Sequence, residues 1–192
     1  MKFLIFVIFA YLNIVNSQHI FEHPCKERPI LQNFDIQKYV AHTWYELMRF
    51  DATFEKHCDC GQATYTLNSD NSVEVKNCCK RFGEGHCSLG KAALGEPDQV
   101  PLEGKFIVSF GQPATEPNYK VLSTDYENYS IVYNCKNLPE NKSLEFFWLL
   151  SSKPQLDDSV KSTVDNLIKE YFETDKLYTV NQTEEFCAPR DY

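Results

Sequence analysis

The chain has 192 residues, 43% hydrophobic and 14% aromatic, and a formal net charge of −8. That length suits one domain with a substantial core. Lys and Arg are scattered rather than clustered, so no basic stripe is present to neutralise nucleic-acid phosphates, and an acidic surface disfavours stable insertion into anionic membranes.

The first segment reads as a leader. Lys2 precedes an unbroken apolar run over residues 3–12, and Val15 and Ser17 form a small-residue cleavage pattern. This predicts a signal peptide over 1–17, too short for a membrane span, and a mature domain over 18–192. An even set of cysteines behind such a leader (Cys25, Cys58, Cys60, Cys78, Cys79, Cys87, Cys135 and Cys187) reads as a disulfide framework in a secreted, extracellular protein. Three sequons, at Asn128, Asn141 and Asn181, are candidate glycosylation sites in that compartment.

Short strands separated by turn signals fill most of the remainder. Segments 62–67 and 73–75 flank Asn68-Ser69-Asp70-Asn71-Ser72 as a hairpin, and 105–110 is a strand ended by Gly111 and Pro113. Segments 119–125 and 130–134 form a second hairpin, and 144–150 is a strongly apolar strand. Beyond Asp158 the period changes: Val160, Val164, Leu167, Ile168, Tyr171 and Phe172 fall at helical spacing, with Asp157 or Asp158 as the N-cap. Many antiparallel strands and one late amphipathic helix argue for an all-β fold. The expected form is an eight-stranded up-and-down barrel, whose closure removes exposed edges, with the helix packed outside.

Three stretches resemble the lipocalin signatures. Asn33-Phe34-Asp35, Tyr39 and Trp44-Tyr45-Glu46 resemble the first, in which a Trp plugs the closed end of the barrel. Thr124-Asp125-Tyr126-Glu127-Asn128-Tyr129 with Val132-Tyr133-Asn134-Cys135 resembles the second, and Phe146-Phe147-Trp148-Leu149-Leu150-Ser151 with Pro154 the third. The order covers essentially the whole mature chain. Cys60-Gly61-Gln62-Ala63-Thr64-Tyr65 and Cys187 are similar to the branch that holds apolipoprotein D and the insect bilin-binding proteins. The chain departs from the pattern at His42, where the signature has Gly, at one extra residue between Tyr39 and Trp44, and at Ser152 and Lys153, where an Arg usually covers the Trp.

With Trp44 as the inward plug, strand alternation predicts a ligand-facing set of Glu46, Met48, Phe106, Val108, Phe110, Tyr119, Val121, Val132, Phe146 and Trp148, with Ser123, Ser130 and Leu150 also inward, and the resemblance adds Tyr65 to the ligand-facing set, with Ala63 and Leu67 inward beside it. Each of these side chains would equally serve as core filler. Tyr65 and Trp148 rank highest because each joins a large apolar face to a hydrogen-bonding tip. Glu46 is costly inside a dry barrel unless protonated or paired, so it reads as a structural hydrogen-bonding group or an acceptor for a polar ligand group. Burying about 300 Å² of apolar ligand surface is worth roughly 7 kcal/mol before association costs.

The resemblance implies Cys25–Cys135 and Cys60–Cys187 bridges. For Cys58, Cys78, Cys79 and Cys87 the hairpin about Asp70 brings Cys58 near Cys78 and Cys79, with Cys87 taking the remaining thiol; a soft-ligand metal site with His57 and His86 is the alternative, and the oxidising compartment favours bridges, so no metal is expected. A haem-ligating His would need to enter the cavity, whereas His42 lies by the plug and His57 and His86 read as loop residues. No catalytic motif is present, and enzymatic activity is not expected. The expected function is extracellular binding and transport of a small hydrophobic ligand (fatty acid, sterol, retinoid or similar). The alternatives are a biliverdin-type pigment carrier and a secreted interaction protein with a filled barrel. No cofactor is expected beyond such a lipid or biliverdin as bound ligand, and a cell-surface receptor or a homodimer stays open as partner.

Overall fold

The computed structural model describes residues 20–190 and 192; the expected signal peptide lies outside the described residues. Among these, β2 (Thr43–Phe50), β3 (Cys58–Leu67), β4 (Val73–Arg81), β5 (Glu84–Leu94), β6 (Lys105–Ser109), β7 (Tyr119–Thr124), β8 (Tyr129–Leu138) and β9 (Lys142–Ser151) follow one another as antiparallel neighbours. Pairing of β9 with β2 closes the circle, so the expected eight-stranded barrel is the observed one.

β2 and β9 pair over only part of their lengths. Two short strands extend the pairing: β1 (Ile20–Phe21) joins β9 at Ser143 and Leu144, beyond the reach of β2, and β10 (Leu177–Thr179) joins β2 from Met48 to Phe50, on the edge that β3 leaves after Tyr45. The result leaves little bare edge for another chain to extend. β5 lacks the alternation that marks a half-buried strand; residues 84–89 are all exposed, yet it pairs with β4 from Arg81↔Glu84 to Val73↔Ala92.

The late helix is α2 (Asp158–Tyr171), following a one-turn α1 (Ile36–Tyr39) and preceding a one-turn α3 (Glu184–Cys187). Asp157 is its N-cap, accepting from Ser159 N, and those Ser159 hydrogen bonds hold the Asp157 carboxyl down at about 2. Val164, Ile168 and Phe172 lie on the outside of the barrel against Phe50, Ile131, Tyr133, Phe147 and Leu149. This outer core is distinct from an inner one around Trp44, Phe106, Val121 and Val132. Side chains of opposite strand parity therefore serve two separate cores.

The cysteines pair as Cys25–Cys135, Cys60–Cys187, Cys58–Cys79 and Cys78–Cys87. The first ties the N-terminal arm to β8 and the second ties the C-terminal tail to β3, as the resemblance implied. The other two take the bridged form, with Cys78 and Cys87 directly opposite across β4 and β5.

Candidate functional site

The floor of the barrel is built first. The segment ahead of β2 passes beneath the strands: Leu31 N donates to the Val121 carbonyl at 2.9 Å and Phe34 N to the Leu102 carbonyl at 3.0 Å. This brings Phe34 and Tyr39 under the lumen, where Trp44, fully buried, donates from Nε1 to the Tyr39 carbonyl at 2.9 Å. His42 meets the Trp44 ring edge-on at 6.0 Å. Lys153 does not cover the Trp; it is exposed and pairs with Asp157.

Above the floor, hydroxyls form one connected group. Tyr119 Oη lies 2.8 Å from Tyr39 Oη and 3.1 Å from Tyr65 Oη, and Tyr39 Oη lies 3.0 Å from Ser130 Oγ. Burial pushes all three phenols up, Tyr65 to about 12, so they stay protonated. Four hydroxyl hydrogens share three bonds, which leaves one donor for a further acceptor.

The lumen above is a cavity of about 660 Å³. Of the positions expected to face ligand, Glu46, Tyr65, Phe106, Val108, Phe110, Tyr119, Phe146 and Trp148 line it, as do Trp44, Ala63 and Leu150. Phe146 and Trp148 are stacked nearly parallel at 8°, with centroids 5.9 Å apart, and Tyr119 continues the stack on Trp148 at 22°. One wall is therefore flat and aromatic.

Three expected positions lie elsewhere. Met48 packs in the outer core, because a bulge intervenes: Glu46 pairs with Leu150 but Met48 with Leu149, so Leu47 is an extra residue and the parity of β2 reverses beyond it. Val121 and Val132 do point inward, but the Phe34–Tyr39 segment packs with them below the cavity. A second bulge, after Val121, turns Ser123 outward, where its hydroxyl meets Tyr129 Oη at 2.8 Å. His86, read as a loop residue, is on β5 and lines the cavity.

The first bulge also creates the main polar feature. With parity reversed, Arg49 comes to the side of Glu46 and donates from Nη1 to its Oε1 at 2.9 Å, while Nη2 donates to the carbonyls of Glu55 and Cys58 at 3.1 and 3.0 Å. Arg49 is 2% exposed, and its guanidinium lies 4.5 Å over the Tyr178 ring. Burial pushes the Glu46 carboxyl up, against the pull of Arg49. Gly61 makes room for this carboxylate, since a Cβ there would sit 2.6 Å from Glu46 Oε2.

Glu55, in the one-turn 3-10 helix Thr53–Glu55, also lines the cavity. Trp148 Nε1 donates to both of its carboxyl oxygens, at 3.1 and 3.2 Å. Burial, then the repulsion of Glu46, pushes the Glu55 carboxyl up to about 8, so it carries a proton at neutral pH. Arg49 and Glu55 were not readable as site residues: one depends on a bulge and the other sits in an irregular loop. Tyr39, present in the signature, contributes a floor hydroxyl that strand alternation could not supply.

Of the sequons, Asn128 is held in the β7–β8 turn, its Nδ2 donating to Asp125 at 2.8 Å, and Asn181 accepts from Thr183. Asn141 is exposed at the tip of the β8–β9 hairpin.

A family profile described as the lipocalin-like domain matches residues 34–182. Apolipoprotein D of Bos taurus is 32% identical over 160 residues, covering 82% of each chain, and insecticyanin-B of Manduca sexta is 27% identical over 177 residues, covering 88% of this chain and 83% of that one. In three dimensions the barrel superimposes on insecticyanin from the tobacco hornworm Manduca sexta with a TM-score of 0.77 at 24% identity, covering 88% and 92% of the two chains. Closed topology, Trp44 on its floor and these matches agree: the chain belongs to the lipocalin family.

Proposed function

We propose that this lipocalin is a secreted carrier that holds one small hydrophobic molecule in its barrel and catalyses no reaction. The observation that carries the reading is the 660 Å³ cavity inside a closed barrel, walled mostly by aromatic and aliphatic side chains. That volume lies within the range of about 300–1,000 Å³ of small-molecule sites, and fits a fatty acid, sterol or retinoid. A lumen filled by its own side chains, which the interaction-protein alternative needs, is at odds with this space. Among the described residues every cysteine is bridged, so none offers a free thiol as a nucleophile.

Four bridges and an exposed sequon at Asn141 support an oxidising, extracellular setting. No helix among the described residues is long and apolar enough to cross a membrane. The Phe146–Trp148–Tyr119 stack favours a second reading within the same site, a planar conjugated pigment of the biliverdin type lying on that wall. Extraction of the protein purified from its native source, followed by mass spectrometry and visible absorption, tests both. A stoichiometric hydrophobic compound is expected; a visible band identifies the pigment form. Protein that carries nothing and takes up no apolar probe overturns the carrier reading.

A further inference from the structure

The cavity wall is apolar over most of its area, but Glu55 interrupts it with a carboxyl group that the protein leaves largely unmatched. Among the described residues no Lys, Arg or His forms an ion pair with it. The nearest guanidinium, Arg49, directs Nη1 to Glu46 and Nη2 to backbone carbonyls. Arg81, which does line the cavity, donates Nη2 to the Phe54 carbonyl at 2.6 Å. One neutral N–H, from Trp148, is shared between both carboxyl oxygens, whereas an ionised carboxylate accepts about four hydrogen bonds.

Resting on the carrier reading and narrowing it, we infer that the ligand is a hydrophobic molecule with a nitrogen-bearing polar end, an amine or another N–H donor, which the Glu55 carboxylate anchors inside the cavity. A buried acid without a counter-ion keeps its proton, and this one does so up to about 8. A protonated amine supplies the missing cation: R–NH₃⁺ enters, the Glu55 carboxyl gives its proton to solvent, and an ion pair with charge-assisted hydrogen bonds remains. A carboxylate head would instead add negative charge beside Glu46 and Asp51, with Arg49 already engaged. The charged groups around Glu55 are thus Glu46 and Arg49 of β2, Asp51 of the following loop and Arg81 of β4, with His86 of β5 also on the cavity wall.

The test compares dodecylamine, dodecanol and dodecanoic acid as competitors of the neutral fluorescent probe diphenylhexatriene, on the full chain and on Glu55→Gln. The amine is expected to bind most tightly, the alcohol next and the acid least. Calorimetry of dodecylamine binding in buffers of different protonation heat at pH ~7 is expected to find about one proton released per complex. Glu55→Gln, which keeps an acceptor for Trp148, is expected to weaken the amine by about tenfold or more and to leave the alcohol unchanged. If the probe binds but the three competitors are equal, or the acid is tightest, or no proton is released, the head-group assignment falls while the carrier reading stands. If neither probe nor competitors bind, both fall together.

Discussion

Trp148 and Glu55, 93 residues apart in sequence, meet on the cavity wall, where one indole N–H serves both oxygens of one carboxyl group. The pair joins the irregular β2–β3 connection to β9. It also turns the hydrogen-bonding tip of the largest wall residue away from the ligand, so Trp148 presents its ring face to the lumen in the stack with Phe146 and Tyr119. Polar recognition passes from Trp148 to Glu55.

Glu55 gives the ligand-free protein a distinct pH dependence. In the fold its carboxyl keeps a proton up to about 8, while in the unfolded chain it ionises near 4.5. Between these values the folded state binds more protons, so stability falls as pH rises. Urea unfolding across this window is expected to find wild type losing on the order of 2–4 kcal/mol relative to Glu55→Gln. A constant difference between the two proteins contradicts the assignment.

Phe146 and Phe147 separate carrying from folding. Phe147 is fully buried in the outer core against Phe50 and Phe172, and Phe147→Ala is expected to cost about 3–5 kcal/mol. Phe146 faces the cavity. Phe146→Ala is expected to change probe affinity with a much smaller loss of stability. Chemical unfolding and probe titration of both variants check the contrast.

The Glu46–Arg49 pair is internal, and breaking it on one side leaves a buried charge. Glu46→Ala is expected to lose about 3–5 kcal/mol, whereas the double change Glu46→Leu with Arg49→Met recovers most of this. Gly61→Ala drives a Cβ into Glu46 Oε2 and is expected to be destabilising in wild type and much less so in the double variant. Additive losses in that cycle would deny the contact.

Bridges of different span should contribute differently. Cys60–Cys187 closes a separation of 127 residues and Cys78–Cys87 one of only 9. Chain entropy gives about 5 kcal/mol for the long loop and about 2.5 for the short one. Paired Cys→Ser variants, measured by urea unfolding, are expected to keep this order.

Barrel and outer helix were legible in the sequence because they rest on periodicity and on signature residues such as Trp44 and Asp125; two of the cysteine ties followed from the family resemblance, while the exact pairing of Cys58, Cys78, Cys79 and Cys87 stayed open. The side-chain set was readable wherever alternation ran unbroken: Phe106 and Val108 on β6 or Phe146 and Trp148 on β9 line the cavity together. It failed where a bulge shifted parity, at Leu47 for Met48 and after Val121 for Ser123, since an inserted residue leaves no compositional mark in an apolar strand. Val121 and Val132 illustrate a different limit. Alternation gives the side of the sheet but not the depth in the barrel, and depth was set by the Phe34–Tyr39 segment coming from another part of the chain. The strand β5 was invisible because residues 84–89 are all exposed and offer no alternating pattern.

Occupancy of the lumen is tested most directly by filling it. Ala92 of β5 lies between Val73 and Val108 on the cavity wall and is 6% exposed. Titration of diphenylhexatriene into wild type is expected to saturate at one molecule per chain, and Ala92→Trp, folded by circular dichroism, is expected to abolish that binding. Equal binding to both proteins would contradict a ligand held inside the barrel.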